Sequence, residues 1–158
     1  MRLKGCIDRL EISWDESRLR VTDYKTGKMA DYEDDALRGG TTVQLPLYML
    51  AAEKLLAPGR PGLRAGEARY LSVDRAGDFQ TVTFSAQALA SRREDLSQIL
   101  STYVSGVARG VFFAYPETQM CSRCDYRLAC GEGREARFAR KRSDMTAADY
   151  LKMREVVK

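Results

Sequence analysis

Alternation of apolar and polar residues near the start of the chain predicts a β-hairpin. One strand is predicted over residues 2–12 and a second over residues 18–24, with polar turn formers between them. If the chain turns at Asp15-Glu16, residues whose numbers add up to 31 face each other across the hairpin. Asp8 then lies directly opposite Asp23, at a Cβ separation of roughly 4.5 to 5.5 Å.

Helical and strand periods alternate through the residues that follow the hairpin. The predicted elements are a helix over residues 42–57 capped by Thr41 or Thr42, strands over 67–73 and 79–84, a long helix from Ser85 that stops near Gly110, and a short helix from about Thr146. Their order is typical of an α/β (α+β) fold.

The size of the chain suits one domain with a small appendage, since it has 158 residues of which 44% are hydrophobic. No apolar stretch approaches the length of a membrane span, and the first residues lack the apolar middle region of a signal peptide. These features predict a cytoplasmic protein without a membrane partner.

Positive charge is unevenly distributed. The net charge is +4, and five cations lie close together near the C-terminus, namely Arg134, Arg137, Arg140, Lys141 and Arg142. Such a run either neutralises nucleic-acid phosphates or forms the solvated face of a helix. The second interpretation is at least as compatible with the charges alone.

Candidate chemistry lies in the predicted hairpin. The chain contains no histidine, which excludes His-based general base catalysis, Ser-His-Asp triads and His-ligated zinc within these residues. Phosphodiester hydrolysis requires a cation, an activated water and a positive group near the developing charge. Asp8 and Asp23 are candidate metal ligands, the carbonyl of Tyr24 is a further one, and Lys25 lies on the same face of its strand as Asp23.

These oxygen donors favour Mg²⁺ or Mn²⁺. Lys25 would orient the attacking water, help to deprotonate it, or neutralise charge on the scissile phosphate. The alternative interpretation is a surface hairpin that carries a cluster of solvated charges, because D-x-K is a short pattern.

Three motifs in the same order and at similar distances resemble the RecB-like branch of the PD-(D/E)XK nucleases, which includes AddB-type nuclease domains. They are Gly5-Cys6-Ile7-Asp8-Arg9 (G-x-x-D-R), Asp23-Tyr24-Lys25-Thr26-Gly27 (DYKTG) and Gln44-Leu45-Pro46-Leu47-Tyr48 (Q-x-x-x-Y). The resemblance implies a restriction-endonuclease-like core, with a mixed central sheet flanked by helices, whose N-terminal helix and first strand are missing from this chain.

The resemblance also implies roles for individual residues. Asp8 and Asp23 would bind metal, Lys25 would be catalytic, and Gln44 and Tyr48 would reach toward the site or the DNA. Arg9, in the G-x-x-D-R motif, would contact DNA as well. Residues four apart on a helix share a face, which agrees with a common target for Gln44 and Tyr48. Taken singly, a tyrosine such as Tyr48 is more often a core aromatic.

Three cysteines form a second candidate site, since Cys121, Cys124 and Cys130 have the spacing C-x2-C-x5-C, and a reducing compartment keeps them available to a metal. In the resembled family such a trio belongs to a 4Fe-4S cluster whose fourth cysteine lies upstream of G-x-x-D-R, where this chain has none. Cys6 is either a substitute fourth ligand or a packing thiol. Reduced, unligated thiols are the alternative to a bound metal.

We therefore predict a PD-(D/E)XK nuclease core, truncated at its N-terminus, over residues 1–116 and a cysteine-containing segment over residues 117–158. The predicted function is a Mg²⁺- or Mn²⁺-dependent DNA exonuclease or endonuclease that works with a helicase in DNA repair and recombination, the helicase being implied by the resemblance alone. The alternatives are a non-catalytic DNA-binding or scaffold module that retains the fold and a zinc-type interaction domain that rests on the cysteines alone.

Overall fold

The computed structural model describes residues 3–156, without the side chains of Thr118 and Gln119. The chain divides into two compact units. The first consists of the chain up to Ser97 together with Val156 onward, and the second consists of Gln98–Glu155. The predicted partition at residue 116 stays a prediction.

The strands of the described residues all precede Ala86, and most of the helices follow them. The strands are β1 (Arg9–Ile12), β2 (Arg18–Lys25), β3 (Arg64–Ser72) and β4 (Thr81–Ser85). The helices are α1 (Gln44–Leu56), α2 (Ala86–Ser91), α3 (Arg93–Ala108), α4 (Thr118–Ser122), α5 (Arg127–Cys130), α6 (Arg134–Lys141) and α7 (Ala148–Arg154). Short 3-10 turns occur at Arg38–Gly40, Arg75–Gly77 and Met145–Ala147.

The first unit is built on a mixed sheet with the strand order β1-β2-β3-β4. β1 and β2 are antiparallel, β2 and β3 are parallel, and β3 and β4 are antiparallel. Parallel neighbours need a crossover connection, and α1 supplies it between β2 and β3. The predicted α+β architecture with a mixed sheet is confirmed.

The hairpin register is confirmed for four residue pairs, from Arg9 opposite Thr22 to Ile12 opposite Leu19, whose numbers add up to 31. The first strand begins at Arg9 and is therefore shorter than predicted. The polar groups just before β1 have other partners than the strand pairing. The carbonyl of Cys6 accepts from the hydroxyl of Tyr48, and the carboxylate of Asp8 accepts from the backbone N–H of Tyr24. The predicted start at Arg2 lies outside the described residues.

Helix α1 covers one face of the sheet. Its buried residues are Leu45, Pro46, Met49 and Ala52. Leu19 and Val21 of β2 and Ala68 and Tyr70 of β3 are buried as well, so apolar side chains from three elements form this part of the core.

The predicted threonine caps of α1 were wrong. The hydroxyl of Thr41 donates to the carbonyl of Arg38 and that of Thr42 donates to the carbonyl of Ala36, each at 2.8 Å. Both hydroxyls therefore bind the preceding loop, and Val43 occupies the N-cap without a side-chain hydrogen bond. Pro46 is tolerated because the first four helical N–H groups have no partner within the helix.

The later elements agree with the pattern in outline. Ser85 caps α2 as predicted, accepting from the backbone N–H of Ala88 at 3.1 Å. The predicted long helix is divided into α2 and α3 at Arg92, which has φ −104° and ψ 14°. Gly110, at φ +65°, lies two residues beyond the end of α3, as a C-terminal stop requires.

The second unit contains clustered aromatic rings. Tyr115 makes edge contacts with Phe138 and Tyr150, at centroid distances of 5.1 and 6.0 Å, and the guanidinium of Arg154 lies 4.7 Å from the centroid of the Tyr115 ring.

Between residues 3 and 156, no helix combines the length and the apolar composition that a membrane crossing needs.

Candidate active site

Strand β2 carries the first two residues of the candidate site. Side chains two apart in a strand point the same way, so Val21, Asp23 and Lys25 share the face that α1 covers. Val21 and Asp23 are buried there, and Asp23 is only 5% exposed. A carboxylate this deep needs partners, because an unpaired buried charge is costly.

Lys25 provides the first partner of Asp23. Its Nζ lies 2.5 Å from Oδ2 of Asp23 and donates to Oε1 of Gln44 at 3.1 Å. The same ammonium group lies 4.7 Å from the centroid of the Tyr70 ring, a cation-π distance. The ammonium therefore lies between a carboxylate, an amide oxygen and an aromatic face.

Gln44, the first residue of α1, joins these groups through all of its hydrogen-bonding capacity. Its Nε2 donates to Oδ1 of Asp23 at 3.1 Å and to the hydroxyl of Tyr48 at 2.9 Å. Its Oε1 accepts from Lys25 at 3.1 Å and from the hydroxyl of Tyr70 at 3.2 Å. Both N–H donors and both oxygen lone pairs of the side-chain amide are thus engaged.

Tyr70 is a participant that the sequence analysis missed. It lies opposite Asp23 in the β2-β3 register and is 3% exposed. Burial, followed by the nearby Tyr32 and Asp23, raises the pKa of Tyr70 well above its usual value. Its hydroxyl therefore stays protonated at neutral pH and serves as a donor to Gln44.

Asp8 approaches the same strand from the other side of the hairpin. It lies one residue before the paired part of β1, and its Oδ2 accepts from the backbone N–H of Tyr24 at 2.9 Å. Tyr24 lies between Asp23 and Lys25 in the chain, so the Asp8 carboxylate binds β2 between the two other candidate residues. The side chain of Asp8 is exposed.

Tyr48 fixes the segment that leads into Asp8. Its hydroxyl donates to the carbonyl of Cys6 at 2.6 Å while it accepts from Gln44. A Cβ at Gly5 would lie 3.1 Å from Cε1 of Tyr48, which is tighter than ordinary van der Waals contact. The G-x-x-D and Q-x-x-x-Y motifs are therefore in direct contact.

Arg9 lies on the opposite face of the sheet. It pairs with Thr22, which alternates with Asp23, and its guanidinium forms a 2.9 Å ion pair with Glu11. A hydrogen bond with the Tyr24 side chain and the Glu11 carboxylate raise the pKa of Arg9. The structure therefore does not bring Arg9 into the Asp23 network.

Asp74 is a second residue that the sequence analysis missed. Its two carboxylate oxygens accept from the backbone of Gly27 at 2.8 Å and of Gly77 at 3.0 Å. These bonds lower the pKa of Asp74. A Cβ at Gly77 would lie 2.5 Å from the carbonyl of Gly27, so the loop after Lys25 packs closely on the β3-β4 turn. A local D-x-x-G turn pattern is the only signal of this in the sequence.

The oxygen donors of the site are of the kind that a hard cation prefers. Within residues 3–156, no three His, Cys, Asp or Glu side chains are arranged to hold one metal ion. Asp8 and Asp23 offer two carboxylates near the main chain of Tyr24, and Mg²⁺ commonly takes one or two protein carboxylates and keeps several waters. The chemistry of these donors fits such an ion.

The three clustered cysteines line one cavity of about 660 Å³ in the second unit, together with aromatic residues and Arg134. Cys124 is exposed, and Cys121 and Cys130 are partly buried. They are the right donors for iron or zinc, but the described side chains do not already form a metal-binding group. Cys6 is exposed.

Comparison with known proteins gives one result for the family. A family model described as the PD-(D/E)XK nuclease superfamily matches residues 1–131, and no curated protein and no solved structure gives a significant match. The matched residues include both strands of the hairpin, the Gln44 helix and the cysteines. The mixed sheet with its crossover helix agrees with this family's fold. The chain belongs to the PD-(D/E)XK nuclease superfamily.

Proposed function

We propose that this chain is a metal-dependent deoxyribonuclease of the RecB/AddB-like type, acting as an exonuclease in DNA repair and recombination. The observation that carries the proposal is the network in which Lys25 and Gln44 both bind the buried carboxylate of Asp23. Family membership supports nuclease activity, and the network concentrates charged groups that phosphodiester hydrolysis uses.

Asp8, Asp23 and the carbonyl of Tyr24 would hold Mg²⁺ or Mn²⁺. The bound ion would polarise the phosphate and lower the pKa of its water. Gln44 orients the Asp23 carboxylate through Nε2, and Tyr48 holds the segment before Asp8 through the carbonyl of Cys6. The protein's own part is therefore to keep the Asp23 carboxylate of β2 and the Asp8 carboxylate just before β1 in place.

Lys25 would act as a positive group near the scissile phosphate. An ammonium group has three donors, of which Asp23 and Gln44 take two. The third is available to a water or to a phosphate oxygen. Because its ammonium is surrounded by a carboxylate and an amide oxygen, we favour charge neutralisation and water orientation as its role.

Cleavage of end-labelled DNA tests the proposal. With Mg²⁺ or Mn²⁺, linear duplex should be degraded while closed circular DNA resists, which distinguishes an exonuclease from an endonuclease. Asp8→Asn, Asp23→Asn and Lys25→Met should each lower the rate by about 10²-fold or more, on the scale of general acid-base and metal-site losses.

Matched controls are available on exposed positions. Asp78→Asn repeats the carboxylate-to-amide change in a turn at φ +53°, a conformation that Asn tolerates, and Lys54→Met repeats the lysine change in the last turn of α1. Both should cleave at the wild-type rate. Wild-type rates in Asp23→Asn would overturn the assignment, and DNA binding without any cleavage would support a non-catalytic DNA-binding or scaffold module.

A helicase subunit or domain is proposed as the partner. The sequence contains no GxxxxGK[ST] phosphate loop, so ATP-driven movement would come from elsewhere. A cytoplasmic location is proposed with it. Stimulation of duplex degradation by a helicase and ATP would support this partner, and equal rates with and without it would count against it.

A 4Fe-4S cluster on Cys121, Cys124 and Cys130 is proposed from the family resemblance, with the shared cavity as structural support. Its role would be to order the C-terminal segment, because metal binding is coupled to folding. Visible absorbance with iron and sulfide after anaerobic purification would support the cluster. A colourless protein with stoichiometric zinc would favour a zinc site, and absence of both metals would favour free thiols.

A further inference from the structure

Positive charge is concentrated in one segment of the second unit. Residues 121–142 contain seven Lys and Arg against three Asp and Glu, and the resulting net charge of +4 equals that of the whole chain. The rest of the chain is therefore electrically balanced. A local excess of this size attracts a polyanion to one place on the protein.

Helix α6 directs part of this charge into a groove. Arg134, Arg137 and Lys141 are spaced by three and four residues, which places them on one face of the helix. All three line a groove of about 410 Å³. Arg137 and Lys141 are exposed, while Arg134 is partly buried beside Glu135 at 3.1 Å.

Aromatic side chains also line the groove. Phe112, Phe113 and Phe138 line it, and Phe112 is 76% exposed. Phe138 is held by an edge contact with Tyr115 at a centroid distance of 5.1 Å. A largely exposed phenylalanine beside cations that line the same groove provides a stacking surface next to phosphate-binding groups.

We propose that this groove binds single-stranded DNA. The guanidinium and ammonium groups of Arg134, Arg137 and Lys141 bind successive phosphates, and a base stacks on Phe112. Only an unpaired strand presents a free base face to such a ring, whereas a duplex offers its phosphates alone. The inference rests on the proposed nuclease function. It adds that the DNA bound by the second unit is single-stranded.

Fluorescence anisotropy with a labelled oligothymidylate of about 15 nucleotides tests the groove on the full chain. The buffer contains EDTA, so binding is measured without cleavage. Phe112→Ala should weaken binding of the single strand about tenfold and leave duplex binding unchanged. Phe112→Tyr keeps the aromatic ring and should retain the affinity, which guards against a merely structural effect.

Two cations of α6 form a matched pair of positions that tests how far phosphate contacts contribute to binding. Lys141 lines the groove and Arg140 does not, and both are exposed. Lys141→Gln should lower the slope of log affinity against log salt by about 0.7, the value for one phosphate contact on a single strand. Arg140→Gln should change the slope by less than half as much. Equal slope changes would overturn the groove and indicate diffuse attraction.

Other outcomes overturn the proposal as well. These are an unchanged affinity in Phe112→Ala, a tighter complex with duplex than with single strand, or equal binding of an oligouridylate of the same length. Failure of the nuclease function is distinguishable, since a chain that binds the oligonucleotide in EDTA through Phe112 but never cleaves DNA refutes only the catalytic assignment. A chain that cleaves while the groove variants bind normally refutes only the groove.

Discussion

Replacing Lys25 by methionine tests the ion pair on which the active-site proposal depends. The Nζ of Lys25 lies 2.5 Å from Oδ2 of Asp23, and the two side chains are 24% and 7% exposed. Losing one partner of a fully buried pair costs about 3–5 kcal/mol, while an exposed pair contributes about 0–1 kcal/mol. Lys25 lies between these cases, so we expect Lys25→Met to lower the free energy of unfolding by about 2 kcal/mol.

Thermal unfolding measures this loss. For a chain of this length about 1 kcal/mol corresponds to about 2–4 °C, so the melting temperature should fall by about 4–8 °C. Lys54→Met, at an exposed position of α1, should shift it by no more than about 1–2 °C. Metal-free buffer is used, because a bound divalent cation would replace the lost positive charge.

The double variant Asp23→Asn/Lys25→Met separates charge from packing. If the cost of Lys25→Met comes from an uncompensated carboxylate, removing that carboxylate should restore part of the lost stability. The double variant should then melt at a higher temperature than Lys25→Met alone. If it melts lower, or if Lys25→Met matches the Lys54→Met control, the Asp23 carboxylate does not depend on Lys25 and the electrostatic argument fails.

Three further changes test neighbouring features. Gly5→Ala should lower the melting temperature by about 2–8 °C, because the added Cβ would lie 3.1 Å from the Tyr48 ring and overpacking costs about 1–2 kcal/mol. An unchanged melting temperature would show that the contact relaxes freely. Tyr48→Phe keeps the ring but removes the hydroxyl that donates to the Cys6 carbonyl. The value of kcat for DNA cleavage should fall at least tenfold, while the free energy of unfolding falls by about 1 kcal/mol. A loss of stability without a loss of kcat would contradict the positioning role of Tyr48. Asp15 has its pKa lowered from 3.8 to about 2, first by the Ser13 hydroxyl, so it stabilises the fold above pH 3.8 and ceases to do so as the pH falls toward 2. The difference in melting temperature between the wild type and Asp15→Asn should therefore shrink over that interval, and a difference independent of pH would contradict the assignment.

The hairpin could be predicted from sequence because its determinants are local. A period of two residues in each strand and a polar turn at Asp15-Glu16 fix the register, which holds from Arg9 to Ile12. The strand's start could not be predicted in the same way. It depends on where Asp8 and the Cys6 carbonyl find partners, and one of those partners, Tyr48, lies 42 residues away from Cys6 in the chain.

The parallel pairing of β2 with β3 could not be predicted from the pattern of hydrophobic and polar residues. Nothing local indicates that Tyr70 lies opposite Asp23, because a parallel register is set through a crossover helix and here includes an irregularity between Leu19 and Arg20. A tyrosine in an apolar strand gives only the general expectation of burial. Tyr70 and Asp74 were therefore missed, whereas Gln44 and Tyr48 were predicted from the Q-x-x-x-Y motif of the resembled family, with which their spacing on a helix agrees.

The position of Gln44 explains why an amide is needed there. Its Oε1 faces two donors, Lys25 and Tyr70, and its Nε2 faces two acceptors, Asp23 and the Tyr48 hydroxyl oxygen. Rotating the amide by 180° would set donors against donors, so the network itself fixes the orientation. A glutamate of the same shape would place a second carboxylate against buried Asp23 and lose both donors. Because Tyr48 lies four residues after Gln44, it continues the same hydrogen-bond chain to the Cys6 carbonyl. One turn of α1 therefore holds both the Asp23 carboxylate and the segment that leads into Asp8.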